Sequence, residues 1–167
     1  SYYLVPKCVR LGYCDEDKSC GRMPKKEEFL KGTESFMISF DYLTLKAFFE
    51  ENKDFFTGAR LQKIQQPTRR DFVLSFRGFE SRKLYINIDP QVFHICFLSD
   101  KTYDRRNITI PKKPPMFCML LRKYLEGFRV IEVKVPQYER IFEIYFESYN
   151  ELNEKIKLCL AIELMGK

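Results

Sequence analysis

An α+β fold, a mostly antiparallel β-sheet or sandwich with two main helices, is what this sequence predicts. Three observations carry the prediction. Most segments after residue 57 alternate apolar and polar residues with period two, two others carry apolar residues at helical spacing, and the aromatic content is 16%, from sixteen Phe and ten Tyr without Trp. Phe-rich alternation suits a half-buried pleated surface better than a helical bundle. A chain of 167 residues with 45% apolar and 31% charged residues has enough material for one packed core.

The elements follow in order. Residues 1–36 differ from the rest: SYYLVPKCVRLGY has the length and pattern of one short strand, while CDEDKSCGRMPKKEE mixes charges around Gly21 and Pro24 and holds no period. This stretch reads as an extension outside the domain, with Met37 as a natural start. Asp41 is placed to cap a first helix with Leu45, Phe48 and Phe49 on its apolar side, and Gly58 to end that region. Four strands are expected at Arg60–Gln65, Phe72–Phe76, Lys83–Ile88 and Val92–Leu98, punctuated by Pro67, Gly78 and Pro90. DRRNITIPKKPP reads as a polar, proline-rich loop leading to a second helix, PPMFCMLLRKYLEG, closed by Gly127. Met116, Met119, Leu120 and Lys123 fall on one side of it, and Phe117, Leu121, Tyr124 and Leu125 widen the apolar surface. Three further strands are expected at Arg129–Val135, Ile141–Glu147 and Lys157–Leu164. The ending at Met165-Gly166-Lys167, with no turn or cap, reads as a truncation. No internal repeat or coiled-coil heptad is apparent.

The net charge of +6 is unevenly placed: residues 1–36 hold seven basic and six acidic residues, leaving 22 and 17 for residues 37–167. A basic excess of this size is compatible with phosphate contact. No apolar run approaches the ~20 residues of a membrane-spanning helix, and no signal peptide opens the chain, so a cytoplasmic protein with reduced thiols and no membrane association is expected. Cys96, Cys118 and Cys159 lie in apolar patterns and read as small core residues. Cys8, Cys14 and Cys20 recur every six residues, which is not the two-to-four-residue spacing of zinc sites, and no metal or other cofactor is expected.

Catalysis has no constellation to rest on. The sole histidine, His94, lies in the alternating strand VFHICFL, and there is no phosphate-binding glycine loop or marked carboxylate pair. A non-catalytic protein is expected. The candidates for binding are cations at the ends of elements. Arg60 and Lys63 lie on one strand but on opposite faces unless it is bulged. Arg122 and Lys123 suit the C-terminal dipole of the second helix. Glu139-Arg140 stands between the turn-like VPQY and the strand IFEIYFE, where a guanidinium can meet a phosphate or base.

From Met37 onward the chain resembles the N-terminal domain of the NFACT family. The matching pieces are MISFDYLTLKA, then GARLQKIQQP, KLYINIDP, PPMFCMLLRKYLEG, YERIFEIYFE and IELMGK, in family order across residues 37–167. The resemblance implies a fold similar to the N-terminal domain of formamidopyrimidine-DNA glycosylases. Their N-terminal proline nucleophile has no counterpart here, so no lyase activity is implied. It implies a module of a ribosome-associated quality control factor that binds tRNA and a large ribosomal subunit obstructed by peptidyl-tRNA. Such factors support C-terminal tailing, with alanine in bacteria, while the ribosome makes the bonds. The partners so implied include the rest of an NFACT chain: helix-hairpin-helix, coiled coil and RNA-binding domain. The family's Asp-Arg pair for tRNA recruitment aligns with Glu139-Arg140, where Glu139 is longer by one methylene. Arg60, Lys63, Gln66, Arg122, Lys123 and Lys167 are further candidates for RNA or ribosome contact. A second departure is NIDP in place of the family's SAHP, with His94 and Cys96 where an arginine and a histidine are usual. The family's older label implies the alternative of a surface adhesin that binds fibronectin.

Overall fold

Alternation and glycine placement in the sequence produce two meanders joined at a short seam. The computed structural model describes residues 9–13 and 42–164. Asp41, Lys167, Cys8, Cys14 and Cys20 lie outside the described residues. The elements are β1 (Val9–Tyr13), α1 (Tyr42–Phe56), β2 (Arg60–Gln65), β3 (Asp71–Arg77), β4 (Ser81–Asn87), β5 (His94–Leu98), α2 (Asp100–Arg105), α3 (Met116–Leu125), β6 (Arg129–Lys134), β7 (Ile141–Tyr149) and β8 (Lys155–Glu163). All the described strands join one antiparallel sheet in the order β1-β8-β7-β6-β2-β3-β4-β5. The fold is therefore α+β, with α1 and α3 as its two long helices.

Two elements join those expected. The stretch read as lying outside the domain supplies edge strand β1, whose Val9 is buried in the core opposite Ile162 of β8. A short third helix, α2, takes in Asp104 and Arg105 of the stretch read as a polar loop, and Ser99 caps it by accepting a hydrogen bond from the Thr102 amide at 3.2 Å. Its cap lies in a run with no helical apolar period, so periodicity did not mark it.

The seam between β2 and β6 pairs one residue from each, Arg60 with Arg129. Around it the backbone bonds form a symmetric set: Gly58 N–H to Val130 O and Gly127 N–H to Leu61 O, then Leu61 N–H to Phe128 O and Val130 N–H to Ala59 O. The symmetry reflects a repeat that composition and periodicity did not reveal. GARLQKIQQP and GFRVIEVKVP align residue for residue, each following a helix, each carrying arginine two places after its glycine and ending on proline. Gly58 at φ 84° and Gly127 at φ 88° close α1 and α3 in the left-handed conformation that glycine adopts at least cost. Each strand is then irregular at the same place, between Leu61 and Lys63 and between Val130 and Glu132.

These bulges turn Leu61 with Ile64, and Val130 with Val133, into the same core. Phe56, at the end of α1, is fully buried against Phe48, Phe55, Phe76, Phe97 and Phe142, with ring centroids 5.3–6.4 Å apart. Burial of such a ring stabilises by roughly 1.5–3 kcal/mol. Helix α3 turns Phe117, Cys118, Leu121 and Leu125 inward. Met116, Met119 and Leu120, on the other side, stay exposed.

The opposite face of the sheet is largely polar. A smaller cluster there, Val73, Tyr85 and Leu98, is covered by Cys96, Tyr103 of α2 and Ile108. Cys118 and Cys159 are buried and Cys96 half-buried, with burial pushing the thiols of Cys96 and Cys118 up.

Candidate functional site

The turn joining β6 to β7 carries Glu139-Arg140. Pro136 opens it, and the Glu139 amide donates back to the Pro136 carbonyl at 3.1 Å. Tyr138 sits at φ 62°, a conformation that a bulky residue adopts at a cost. Its side chain is 79% exposed and its ring lies 5.8 Å from that of Tyr42, at the start of α1. The Arg140 carbonyl accepts from Leu164 N–H at 2.8 Å, which fixes the strand entrance. The Arg140 guanidinium lies 5.2 Å from the centre of the Phe93 ring. No ion pair joins it to Glu139 or any other acid among the described residues. Arg140 thus makes a cation–π contact and no ion pair with its neighbour Glu139, which is exposed.

The equivalent turn of the first meander shows what this departs from. There Arg70 O accepts from Ile88 N–H at 2.8 Å, as Arg140 O does from Leu164 N–H, but the Arg70 guanidinium is paired with Asp89. Asp89 also accepts from the Gln91 amide, and these contacts hold its carboxyl below the usual range.

The remaining candidates fall elsewhere. Arg60 Nη1 donates to Gly127 O at 2.9 Å, satisfying a carbonyl just past the end of α3. Lys63 is exposed, and the bulge brings it to the same face as Arg60, with the register pairs Arg60–Arg77 and Lys63–Ser75. Gln66 is 4% exposed and its Oε1 has no hydrogen-bond partner among the described residues, so it is not a surface contact. Arg122 Nε donates to Ile64 O at 2.8 Å, tying α3 to β2. Lys123 is exposed beside Tyr124, its Nζ 5.5 Å from the ring centre. Residue types alone did not single out Tyr138, Tyr42 and Phe93, or Arg77 and Arg129. The arginine after each helix-ending glycine was the available signal for Arg129.

His94 directs Nδ1 at Val92 O, 2.9 Å away, and its ring lies 5.3 Å from Tyr85. The Tyr85 hydroxyl donates to Asp71 at 2.7 Å, and burial together with that carboxylate pushes its pKa up to about 12. Among the described residues no group of three or more His, Cys, Asp or Glu is arranged to hold a metal ion. No helix among them is long and apolar enough to cross a membrane. Exposed cations beside aromatic rings can hold anions and stack on planar groups.

A double-meander α+β scaffold with a cation–aromatic turn at one end is the class of domain so defined. The chain belongs to the NFACT family: the model for NFACT N-terminal and middle domains matches residues 41–167. It is similar to the Rqc2 homolog RqcH of Streptococcus pneumoniae, 34% identical over 131 residues that make up 78% of this chain and 23% of that protein. The Bacillus subtilis Rqc2 homolog RqcH is 29% identical over 131 residues, 78% of this chain and 22% of its own length. The chain thus spans about a quarter of these relatives. Among solved structures, the N-terminal domain of fibronectin-binding protein PavA from Streptococcus pneumoniae superposes with a TM-score of 0.68 at 32% identity, covering 77% of this chain and 49% of that one. The N-terminal part of the fibronectin/fibrinogen-binding protein from Streptococcus suis gives 0.68 at 33% identity, covering 77% and 46%.

Proposed function

We propose that this chain is a non-catalytic, cytoplasmic tRNA- and large-subunit-binding module of a ribosome-associated quality control factor. The complete factor then supports C-terminal tailing of stalled chains. The observation that carries this reading is Arg140: unpaired with any acid among the described residues, held on Phe93, and adjacent to exposed Tyr138. The likeness to RqcH proteins supports it. A guanidinium so held keeps its N–H fork for a phosphate or a base edge, and exposed Tyr138 offers a stacking surface beside it. Glu139 remains an acceptor for a base amino group. In the complete protein, Arg140→Ala should weaken tRNA binding about ten- to a hundredfold, the loss of one or two charge-assisted hydrogen bonds. Lys46→Gln on α1 is the control. Equal affinity in the two variants sinks the reading.

A second reading, an adhesin for fibronectin, draws on what the solved relatives are called. It requires fibronectin binding that persists at high salt and a protein found at the cell surface on fractionation.

A further inference from the structure

At the seam, Arg129 of β6, Arg60 of β2 and Arg77 of β3 are successive partners in register. Three arginines therefore stand in one row across three adjacent strands, about 10 Å from first to last. All three are exposed, and Lys63 follows in the next row of the same face. Like charges directly opposite one another destabilise a sheet. The repeat shows that the fold does not demand them. The position equivalent to Arg77 in the second meander is Glu147, which pairs with Arg129 at 2.6 Å and with Lys155 at 2.8 Å. Where one half places a neutralising acid, the other places another arginine, for which no ion pair exists among the described residues.

Each guanidinium keeps donors to spare. Among the described residues Arg60 has one N–H bond, to Gly127 O, and Arg129 one, to Glu147, out of five donors apiece. The row lies in the middle of the eight-stranded sheet, so an extended peptide has no edge to pair with there. A flexible polyanion crossing the strands fits it. Arg140, just before β7, is seven residues from Glu147 on that strand, roughly 20 Å away, so the row is a separate surface.

We propose that Arg129, Arg60, Arg77 and Lys63 form a second RNA-binding surface that takes the ribose-phosphate backbone without reading sequence. The proposal rests on the RNA-binding reading above and adds a site to it. Phosphate contact releases counterions, so each lost contact flattens the slope of log affinity against log salt by ~0.7 for a single strand. In the full chain, Lys63→Gln combined with Arg77→Gln should flatten the slope for polyuridylate by ~1.4. The wild type then loses roughly sevenfold more affinity than the variant between 50 and 200 mM salt. Arg77→Gln alone should flatten it by half as much while keeping or raising the melting temperature, a readout that a purely structural arginine would move downward. An unchanged slope in the double variant overturns the proposal. So does displacement of the RNA by polyglutamate at equal charge, which would make the row a site for acidic protein. Arg140→Ala separates the two surfaces. A flattened slope in the seam variants with tRNA affinity untouched by Arg140→Ala leaves the row standing and removes the tRNA reading. The reverse pattern removes the row alone.

Discussion

The turn after Pro67 and the turn after Pro136 occupy equivalent places in the two meanders, yet one is tied down and the other is not. At the first, Thr68 Oγ1 donates to Asp71 at 2.7 Å and accepts from the Arg70 amide at 3.2 Å, and Arg70 is paired with Asp89. At the second, a tyrosine stands in a left-handed conformation, a glutamate faces solvent and the arginine rests on a ring. Both turns keep the backbone bond that the fold needs, from Ile88 N–H or Leu164 N–H to the arginine carbonyl. Beyond that bond the turns diverge, in side-chain contacts and in the extra residue and positive φ of the second. A duplicated scaffold thus shows which features serve the architecture, because those recur, and which are particular to one end.

The comparison breaks first at the core. Phe56 and Leu125 are equivalent helix-end residues and both are fully buried. Phe56→Ala should cost about 3–5 kcal/mol and Leu125→Ala about 2–5, read as midpoint shifts in urea unfolding. A negligible cost at Leu125 would end the equivalence of the two halves. Next come the glycines. Ala at Gly58 or Gly127 meets no atom within 4 Å, so its penalty is the backbone strain alone, ~1–2 kcal/mol and alike at both sites. A large difference between the two melting curves would show that the turns are not built alike.

Tyr138→Gly sharpens the contrast between the turns. Relief of the left-handed strain is offset by the greater freedom of glycine in the unfolded chain, so stability should stay within about 1 kcal/mol. tRNA affinity should fall all the same, and a filter-binding titration checks it. The smallest effect expected is at Glu147. Hydrogen bonds from Lys155, then Arg129, hold its carboxyl below the ordinary glutamate range. Its folded pKa lies under its unfolded value, so the stability it contributes is present above the unfolded value and is lost as pH falls through the folded one. Glu147→Gln should lose that acid-side slope in stability, read as urea-unfolding midpoints measured down the acid range.

Much of this fold was legible in the residues. Beta-strand alternation placed seven strands within a few residues, because each has one face on a core, and Gly58 and Gly127 marked helix ends that only a positive φ could close. Helix α2 was missed because six residues offer no period to read. The inward side of α3 was harder still: apolar residues surround that helix, and only its packing on β2 turned Cys118 and Leu121 inward while leaving Met119 exposed. The candidate site was legible by position and not by geometry. Glu139-Arg140 could be named from the chain, but the ring beneath Arg140 comes from a loop 47 positions earlier in the sequence. The bulge that gathers Arg60 and Lys63 was visible only as a condition.

The brevity of the seam also sets an order of events. Each meander forms from neighbours joined by short turns, whereas Gly58 and Gly127 stand 69 positions apart. Closing a loop of that length is costly before its contacts reward it, so the seam is expected to close late, after both meanders have formed. Slowed refolding with unchanged unfolding, on substitution at Leu61 or Val130, would instead place the seam in the nucleus.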